Sequence, residues 1–274
     1  MRKILVKVKG GIGNQLFQYA LGKSLALEYK RELILDKSWY LYNRNPPISF
    51  ALDKLIKNNI QIKYSFPLFK ILNLFGCINN FKEKSLSYEP IHLNDKYISI
   101  FDGYFQCEKF FINYRSEIIE SICLPDTSKY DNIFSTNNIV GIHIRRGDYT
   151  KKENLKIHGL CNLDYYTKAI NILKKKFNKL KFIIFTDDRD WVKKNFSLIN
   201  KKSLIEIDVN SNDILELALF SKCHHFICAN STFSWWAAWL STNKNKEVIV
   251  PKKWFVDSEL NEATNIKPKS WISI

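Results

Sequence analysis

The sequence predicts an α/β protein made of two domains, each a parallel sheet wrapped by helices. Three observations predict it. In the second half, short apolar runs at 139–144, 181–186, 226–229 and 247–250 alternate with helical stretches, the pattern of strand–helix–strand units. The first half opens the same way, with an apolar run at 4–8, a glycine-rich turn and a helical period. A length of 274 residues suits two domains, and a polar stretch at 125–138 separates the halves. The expected division is 1–137 and 138–274.

Taken in order, Ile4 to Val8 reads as the first strand and Gly10-Gly11-Ile12-Gly13-Asn14 as a tight turn. Gln15 to Tyr29 is a helix whose apolar face includes Leu16, Phe17, Ala20 and Leu27. Leu33 to Asp36 is a second strand. From Ser38 to Asn94, with Pro46-Pro47 and Pro67, the chain reads as irregular with short helices. Tyr97 to Tyr104 is a strand and Glu108 to Ile122 an amphipathic helix. After the polar stretch come the strand Ile139–Ile144, a helix capped by Asp164 and running to about Asn178, and the strand Lys181–Thr186. Asp190 is placed to cap a helix from Trp191, and Asp213 a helix through Ser221. Phe226 to Ala229 is a strand, Ser234 opens a helix through Leu240, and Glu247 to Val250 is the last strand.

Composition narrows the function. Apolar residues at 46% and aromatic residues at 14% supply a core and argue against disorder. No run approaches the roughly 18 apolar residues a membrane helix needs, and the lysine-interleaved start reads as a strand rather than a signal peptide. The six cysteines are therefore expected to be reduced, in the cytoplasm. A formal charge of +15 is mostly solvated lysine, with a field that suits anionic substrates or a peripheral contact with an anionic membrane surface. No helix-turn-helix, zinc-finger or RNA-binding signature supports nucleic acid as partner. Cys223-His224-His225-x-x-Cys228 lacks a second half at zinc-finger spacing and reads as buried thiols.

The densest motif is Ile142-His143-Ile144-Arg145-Arg146-Gly147-Asp148-Tyr149. It places two of only seven arginines side by side where a strand ends. A guanidinium offers a planar fork of donors matched to phosphate; the structural alternative is a surface pair between Arg146 and Asp148. Two further polar clusters follow strands, at Thr186 to Asp188 and at Asn230-Ser231-Thr232-Phe233-Ser234. In open parallel sheets ligands bind beyond the carboxyl ends of the strands, so three clusters on one edge make a site. Its chemistry fits a nucleoside diphosphate. The arginines supply charge, the hydroxyls and the helix start supply donors, and Asp187 or Asp188 accepts from a ribose or a base. N-capping and turn chemistry would account for the same serines and aspartates taken singly. Asp188-Arg189-Asp190 spells a pair that holds metal in some sugar transferases, yet the arginines offer a metal-free way to neutralise a pyrophosphate. Trp235, Trp236 and Trp239 read as core. Gly11-x-Gly13, with Asp36 downstream, resembles a dinucleotide fingerprint, but Leu16 stands where the third glycine belongs.

Gly10 to Ala20, His143 to Tyr149, Phe185 to Asp188 and Asn230 to Leu240 together resemble the α-1,2-fucosyltransferases of glycosyltransferase family eleven. His158 to Cys161 and Asp164 to Tyr166 are similar to bacterial members. The resemblance implies a GT-B-like fold, two facing Rossmann-type domains with a cleft between them. It implies an inverting transfer of L-fucose from GDP-β-L-fucose to the 2-hydroxyl of a terminal galactose in a glycan acceptor, with no metal or other cofactor. Arg145 would hold the pyrophosphate with Arg146, Asn230, Ser231, Thr232, Phe233 and Ser234 around it. Asp187 or Asp188 would meet guanine or ribose, and Gly11, Gly13 and Asn14 would approach from the N-terminal domain. His143 and Asp148 flank the arginines and are the candidates for a base. The rival readings are another nucleotide-sugar transferase, a dinucleotide-dependent oxidoreductase and a non-enzymatic polyanion binder.

Overall fold

The computed structural model describes residues 1–42, 48–57, 60–63, 77–135, 138–201, 204–205 and 212–274. The expected prolines at 46–47 and 67 lie outside these. The chain divides into two compact units, Met1–Cys123 with Ala263–Pro268, and Leu124–Glu262 with Lys269–Ile274. The division falls at the start of the polar stretch rather than at its end. Lys222 Nζ reaches Asp131 Oδ1 at 2.6 Å and ties that stretch to the second unit.

The first unit holds strands β1 (Lys3–Lys7), β2 (Glu32–Asp36), β3 (Gln61–Lys63), β4 (Ile78–Lys82) and β5 (Ile98–Asp102), all parallel, in the order β3-β2-β1-β5-β4. In central β1, Ile4, Leu5 and Val6 are all buried, as a strand covered on both faces requires. Helix α1 (Ile12–Glu28) lies close on the sheet, since a Cβ on Gly22 would meet Leu33 Cδ1 and Val6 Cγ2 at 2.7 Å. Short helices α2 (Trp39–Tyr42) and α3 (Leu52–Leu55) follow.

Two expectations change here. The irregular middle contains β3 and β4; β4 reads Ile-Asn-Asn-Phe-Lys and its polar residues hide an edge strand. The helix expected over 108–122 is two 3₁₀ turns followed by α4 (Arg115–Ser121). Phe110 packs on Phe105 and Tyr88, while Phe111 packs on Phe17. Adjacent residues that must both turn inward cannot share one face of a regular helix.

The second unit adds α5 (Asp131–Phe134), β6 (Ile139–Ile144), α6 (Lys152–His158), α7 (Leu163–Lys176), β7 (Lys181–Thr186) and α8 (Arg189–Asn195). It continues with β8 (Leu204–Ile205), α9 (Asp213–Ser221), β9 (His225–Ile227), α10 (Thr232–Leu240), β10 (Val248–Val250), α11 (Ser258–Ala263) and β11 (Ile272–Ser273). The parallel sheet runs β11-β10-β9-β6-β7-β8. The strand order therefore reverses between β6 and β9, the switch point at which doubly wound sheets open a ligand crevice. All six residues of β6 are buried. Val140, Ile142 and Ile144 face the core of α7 residues Tyr166, Ala169 and Ile170. Gly141 faces α9, where a Cβ would meet Phe220 at 2.4 Å, so alternation sends His143 and Arg145 to that side too.

The caps lie earlier than expected. Asn162, not Asp164, accepts from Tyr165 N; Asp188, not Asp190, accepts from Trp191 N; Asn212, not Asp213, accepts from Ile214 N and Leu215 N. Ser231 rather than Ser234 precedes α10 and accepts from Phe233 N. Among the described residues no helix is long and apolar enough to cross a membrane.

Candidate active site

Arg145 leaves the tip of β6 and is held by two carboxylates. Its Nη2 reaches Asp148 Oδ1 at 2.5 Å and its Nη1 reaches Asp187 Oδ2 at 2.9 Å, while its guanidinium lies 5.3 Å from the Tyr149 ring centre. Tyr149 stacks on His158 at 4.6 Å and donates its hydroxyl to the Asn230 carbonyl. Burial pushes that phenol up to about 12, so it stays a neutral donor. Arg146 turns the other way. Its guanidinium lies 4.1 Å from the Trp191 ring centre and its Nε reaches Asp188 Oδ2 at 3.3 Å. It borders a shallow pocket of about 470 Å³ between Trp191 and the turn from Leu160 to Asp164. The arginine–aspartate pairs are thus Arg145 with Asp148 and Asp187, and Arg146 with Asp188, rather than Arg146 with Asp148.

Asp187 also accepts the Arg146 backbone N–H at 2.8 Å. The approach depends on Gly147, where a Cβ would stand 2.5 Å from Asp187 Oδ2. Asp188 takes Trp191 N on Oδ1 and Arg146 on Oδ2. Both aspartates expected to meet ribose or base also orient the arginines.

Across the switch point stands the start of α10. Ser231 is buried and caps it. Ser234 is fully buried and donates to the carbonyls of Ala229 and Ser231. Asn230 is a buried hub: its amide N–H groups go to the carbonyls of His158 and Trp254, and its Oδ1 takes the Cys161 thiol. That leaves Thr232 and Phe233 part-exposed at the tip; the Phe233 N–H goes to the Ser231 hydroxyl, and the Thr232 N–H has no acceptor inside the helix. Arg145 and this helix start thus stand on the two sides of the switch point, where doubly wound folds place their ligands.

His143 sits under Arg145, between the rings of Phe233 at 5.4 Å and Phe220 at 6.2 Å. It is 3% exposed and its Nδ1 has no partner. Burial, and secondarily the charge of Arg145, push it down to about 3. It is neutral at pH 7, and a base that weak takes a proton poorly.

The sequence reading missed Glu216. It sits in the first turn of α9 on the face that carries Phe220 one turn later. Burial, then Asp213, raise its carboxyl to about 7, with Asp187 raising it further and Arg189 and Arg145 opposing. A carboxylate near Arg145 was in principle findable, since an α9 start belongs on the ligand edge of the sheet.

In the first unit, Gly10 takes φ +80° and Gly11 caps α1 with open space around it. Gln15 donates to the Gly10 carbonyl and accepts from Ala51 N, and Tyr40 donates to the same Gly10 carbonyl. Gly13 is buried in the first turn, and Asn14 Oδ1 accepts from Gln106 at 2.8 Å. Asp36 takes both the backbone and hydroxyl of Ser38.

Among the described residues no three His, Cys, Asp or Glu side chains converge to hold a metal ion. His224 and His225 accept backbone N–H groups from Ile139 and Glu247, and Cys223 and Cys228 are buried free thiols.

The profile of glycosyl transferase family 11 matches residues 3–274. An alpha-1,2-colitosyltransferase of Escherichia coli is 34% identical, over 100% of this chain and 99% of that protein. The O-antigen biosynthesis glycosyltransferase WbnK of Escherichia coli is 32% identical, over 97% and 99%. The galactoside 2-alpha-L-fucosyltransferase Sec1 of Mus musculus is 23% identical, over 86% of this chain and 64% of its own. In fold, the chain is similar to NodZ alpha-1,6-fucosyltransferase, with a TM-score of 0.54 at 15% identity over 87% of this chain and 92% of that one. The fold is GT-B-like, with two parallel α/β units. The oxidoreductase and polyanion-binder readings fall away, because the chain belongs to glycosyltransferase family 11.

Proposed function

We propose that the protein is an inverting α-1,2-fucosyltransferase that moves L-fucose from GDP-β-L-fucose to the 2-hydroxyl of a terminal galactose in a glycan. The observation that carries the donor half is Arg145 at the tip of β6, on the other side of the switch point from the start of α10. The α-1,2 linkage is supported by the names of the colitosyl and 2-fucosyl relatives. As the glycosidic bond breaks, negative charge grows on the β-phosphate. Arg145 and the N–H group at Thr232 meet it there, and losing one such preorganised donor costs roughly 10²–10³ in rate. Asp148 and Asp187 hold Arg145 in place and are positioning carboxylates. Arg146 sets the flank with Trp191. Gly11, Gly13 and Asn14 are donor contacts of the N-terminal unit on the strength of the resemblance. His143 is a packing residue rather than the base, because its burial leaves it too weak to take the acceptor proton.

The identity to the colitosyltransferase favours one second reading, α-1,2 transfer of colitose from its GDP ester. Both readings meet the same test. The protein is incubated with GDP-fucose, the GDP ester of colitose, GDP-mannose and UDP-galactose against a panel of galactosides, with and without EDTA. The product linkage is read by NMR. An α-1,2-fucoside formed undiminished in EDTA supports the first reading. Transfer from the colitose donor alone selects the second, and turnover with UDP-galactose alone refutes both.

A further inference from the structure

Glu216 is a part-buried carboxylate on this rim whose oxygens accept no hydrogen bond from any described residue. Asp148, Asp187 and Asp188 are all committed to the arginines. Its position follows from the packing beneath it. Phe220 stacks on Phe185 at 4.4 Å and lies 6.2 Å from His143, and His143 and Phe185 are register partners across β6 and β7. Two residues further along these strands come Arg145 and Asp187, on the same face. One turn back along α9 from Phe220 comes Glu216. The carboxylate therefore stands above the Arg145–Asp187 pair, and both are among the charges it feels. It lies on the β7 flank of Arg145, while the start of α10 lies on the β9 flank. A nucleotide whose phosphates bridge Arg145 and α10 reaches Glu216 when its nucleoside runs along the rim on the β7 side.

Resting on the reading of a nucleoside diphosphate donor, we propose that Glu216 selects the nucleobase, its two oxygens taking the paired N1–H and N2–H donors of guanine. Among the common bases guanine alone presents two adjacent N–H donors on its Watson–Crick edge. Uracil offers one between two carbonyls, and adenine and cytosine offer an amino group beside an acceptor. A carboxylate is acceptor-only when ionised and matches that pair in bidentate fashion. The glycan-transfer reading is thereby given a residue that separates GDP-sugars from UDP-sugars.

The groups facing Glu216 are Asp213 on its own helix, Arg189 on α8, and Asp187 and Arg145 at the strand tips. With its carboxyl raised to about 7, the free protein holds it part-protonated at neutral pH. Two N–H donors favour the ionised form, so binding GDP at pH 7 expels a fraction of a proton, and GDP affinity rises between pH 6 and 8.

The test is calorimetry of the full chain with GDP, IDP, GMP and UDP. IDP keeps the phosphates and N1–H but lacks the 2-amino group. The wild type is expected to bind GDP at least about tenfold tighter than IDP, the worth of one hydrogen bond to a charged group. Glu216→Gln is expected to bring GDP and IDP within about twofold while still binding GDP more tightly than GMP, which shows the phosphate contacts intact. A Glu216→Gln variant that keeps the full GDP-over-IDP preference overturns the proposal, as does a wild type that separates GDP from UDP but not from IDP. A wild type blind to GDP against UDP refutes the donor reading itself. If the variant does not fold, the wild type decides by titration at pH 7 in two buffers of different ionisation enthalpy. The terminal phosphate releases a proton fraction of its own, so UDP serves as the control: release greater with GDP than with UDP upholds the proposal, and equal release overturns it.

Discussion

Gly147→Ala tests the arginine cradle through a contact that is geometric rather than conformational. Gly147 does not occupy the left-handed region, so its backbone suits alanine. The added Cβ would stand 2.5 Å from Asp187 Oδ2 and 3.0 Å from its Cγ, whereas ordinary contact begins at 3.4 Å. The carboxylate must therefore retreat by roughly 0.9 Å. It now holds Arg145 Nη1 at 2.9 Å and Arg146 N at 2.8 Å, and a shift of that size breaks both contacts. A charge-assisted hydrogen bond is worth ~1.5–3 kcal/mol, and misplacing a catalytic group by about 1 Å costs up to ~10² in rate. We expect kcat/KM for the donor to fall ~10–10²-fold, with Tm lowered by only a few degrees. The assay is steady-state donor kinetics with a thermal melt, repeated in an Arg145→Ala background. There the same substitution is expected to cost almost nothing more, because the group it misplaces is gone. A Gly147→Ala enzyme within twofold of wild type, or an equal loss in both backgrounds, would refute the reasoning.

Arg145→Lys is expected to fold normally and lose ~10²–10³ in turnover, since one ammonium cannot serve Asp148, Asp187 and a phosphate as a fork does; a near-normal rate would remove Arg145 from the chemistry. His143 is held at about 3 in the fold against about 6.5 in an unfolded chain, so the unfolded state binds the proton first. Its share of stability is lost as pH falls below about 6.5, by ~1.4 kcal/mol per pH unit down to about pH 3. Urea melts of His143→Phe from pH 4.5 to 7.5 should show that slope reduced by one proton, with turnover largely kept; an unchanged slope contradicts the assignment. Ser234→Ala should lower stability by ~1 kcal/mol through its two lost carbonyl partners and leave donor KM alone. Thr232→Val should do the reverse, and equal effects on KM would mean that both hydroxyls face the ligand.

The second half was the more legible because its strands are continuous apolar runs bounded by polar clusters. Lys181–Thr186 and Ile139–Ile144 have the bounds that periodicity suggests. The edge strand β4 was hidden because Asn79 and Asn80 interrupt its apolar pattern. The break in the helix after Glu108 comes from the contacts of Phe110 and Phe111 with residues far away in sequence. The polar clusters were legible as a site, but the division of labour within them was not. Serine at 231 and at 234 looks alike in sequence. Only the turn of the chain makes one a cap and the other a buried donor.

By itself the sequence determined the class of fold and the family, and it set three polar clusters at strand ends of the second half, because strand and helix periods and short motifs are local properties. Tertiary structure decided which polar groups remain free. Asp187 and Asp188 hold the arginines, Asn230 and Ser234 bind backbone carbonyls, and His143 is sealed between two phenyl rings. Glu216 is left without a hydrogen-bond partner among the described residues, and only its place at the start of α9 marks it. The physical reason is that a hydrogen-bonding group is available to a ligand only when its neighbours in space leave it unpaired, and those neighbours come from strands and helices dozens of residues apart.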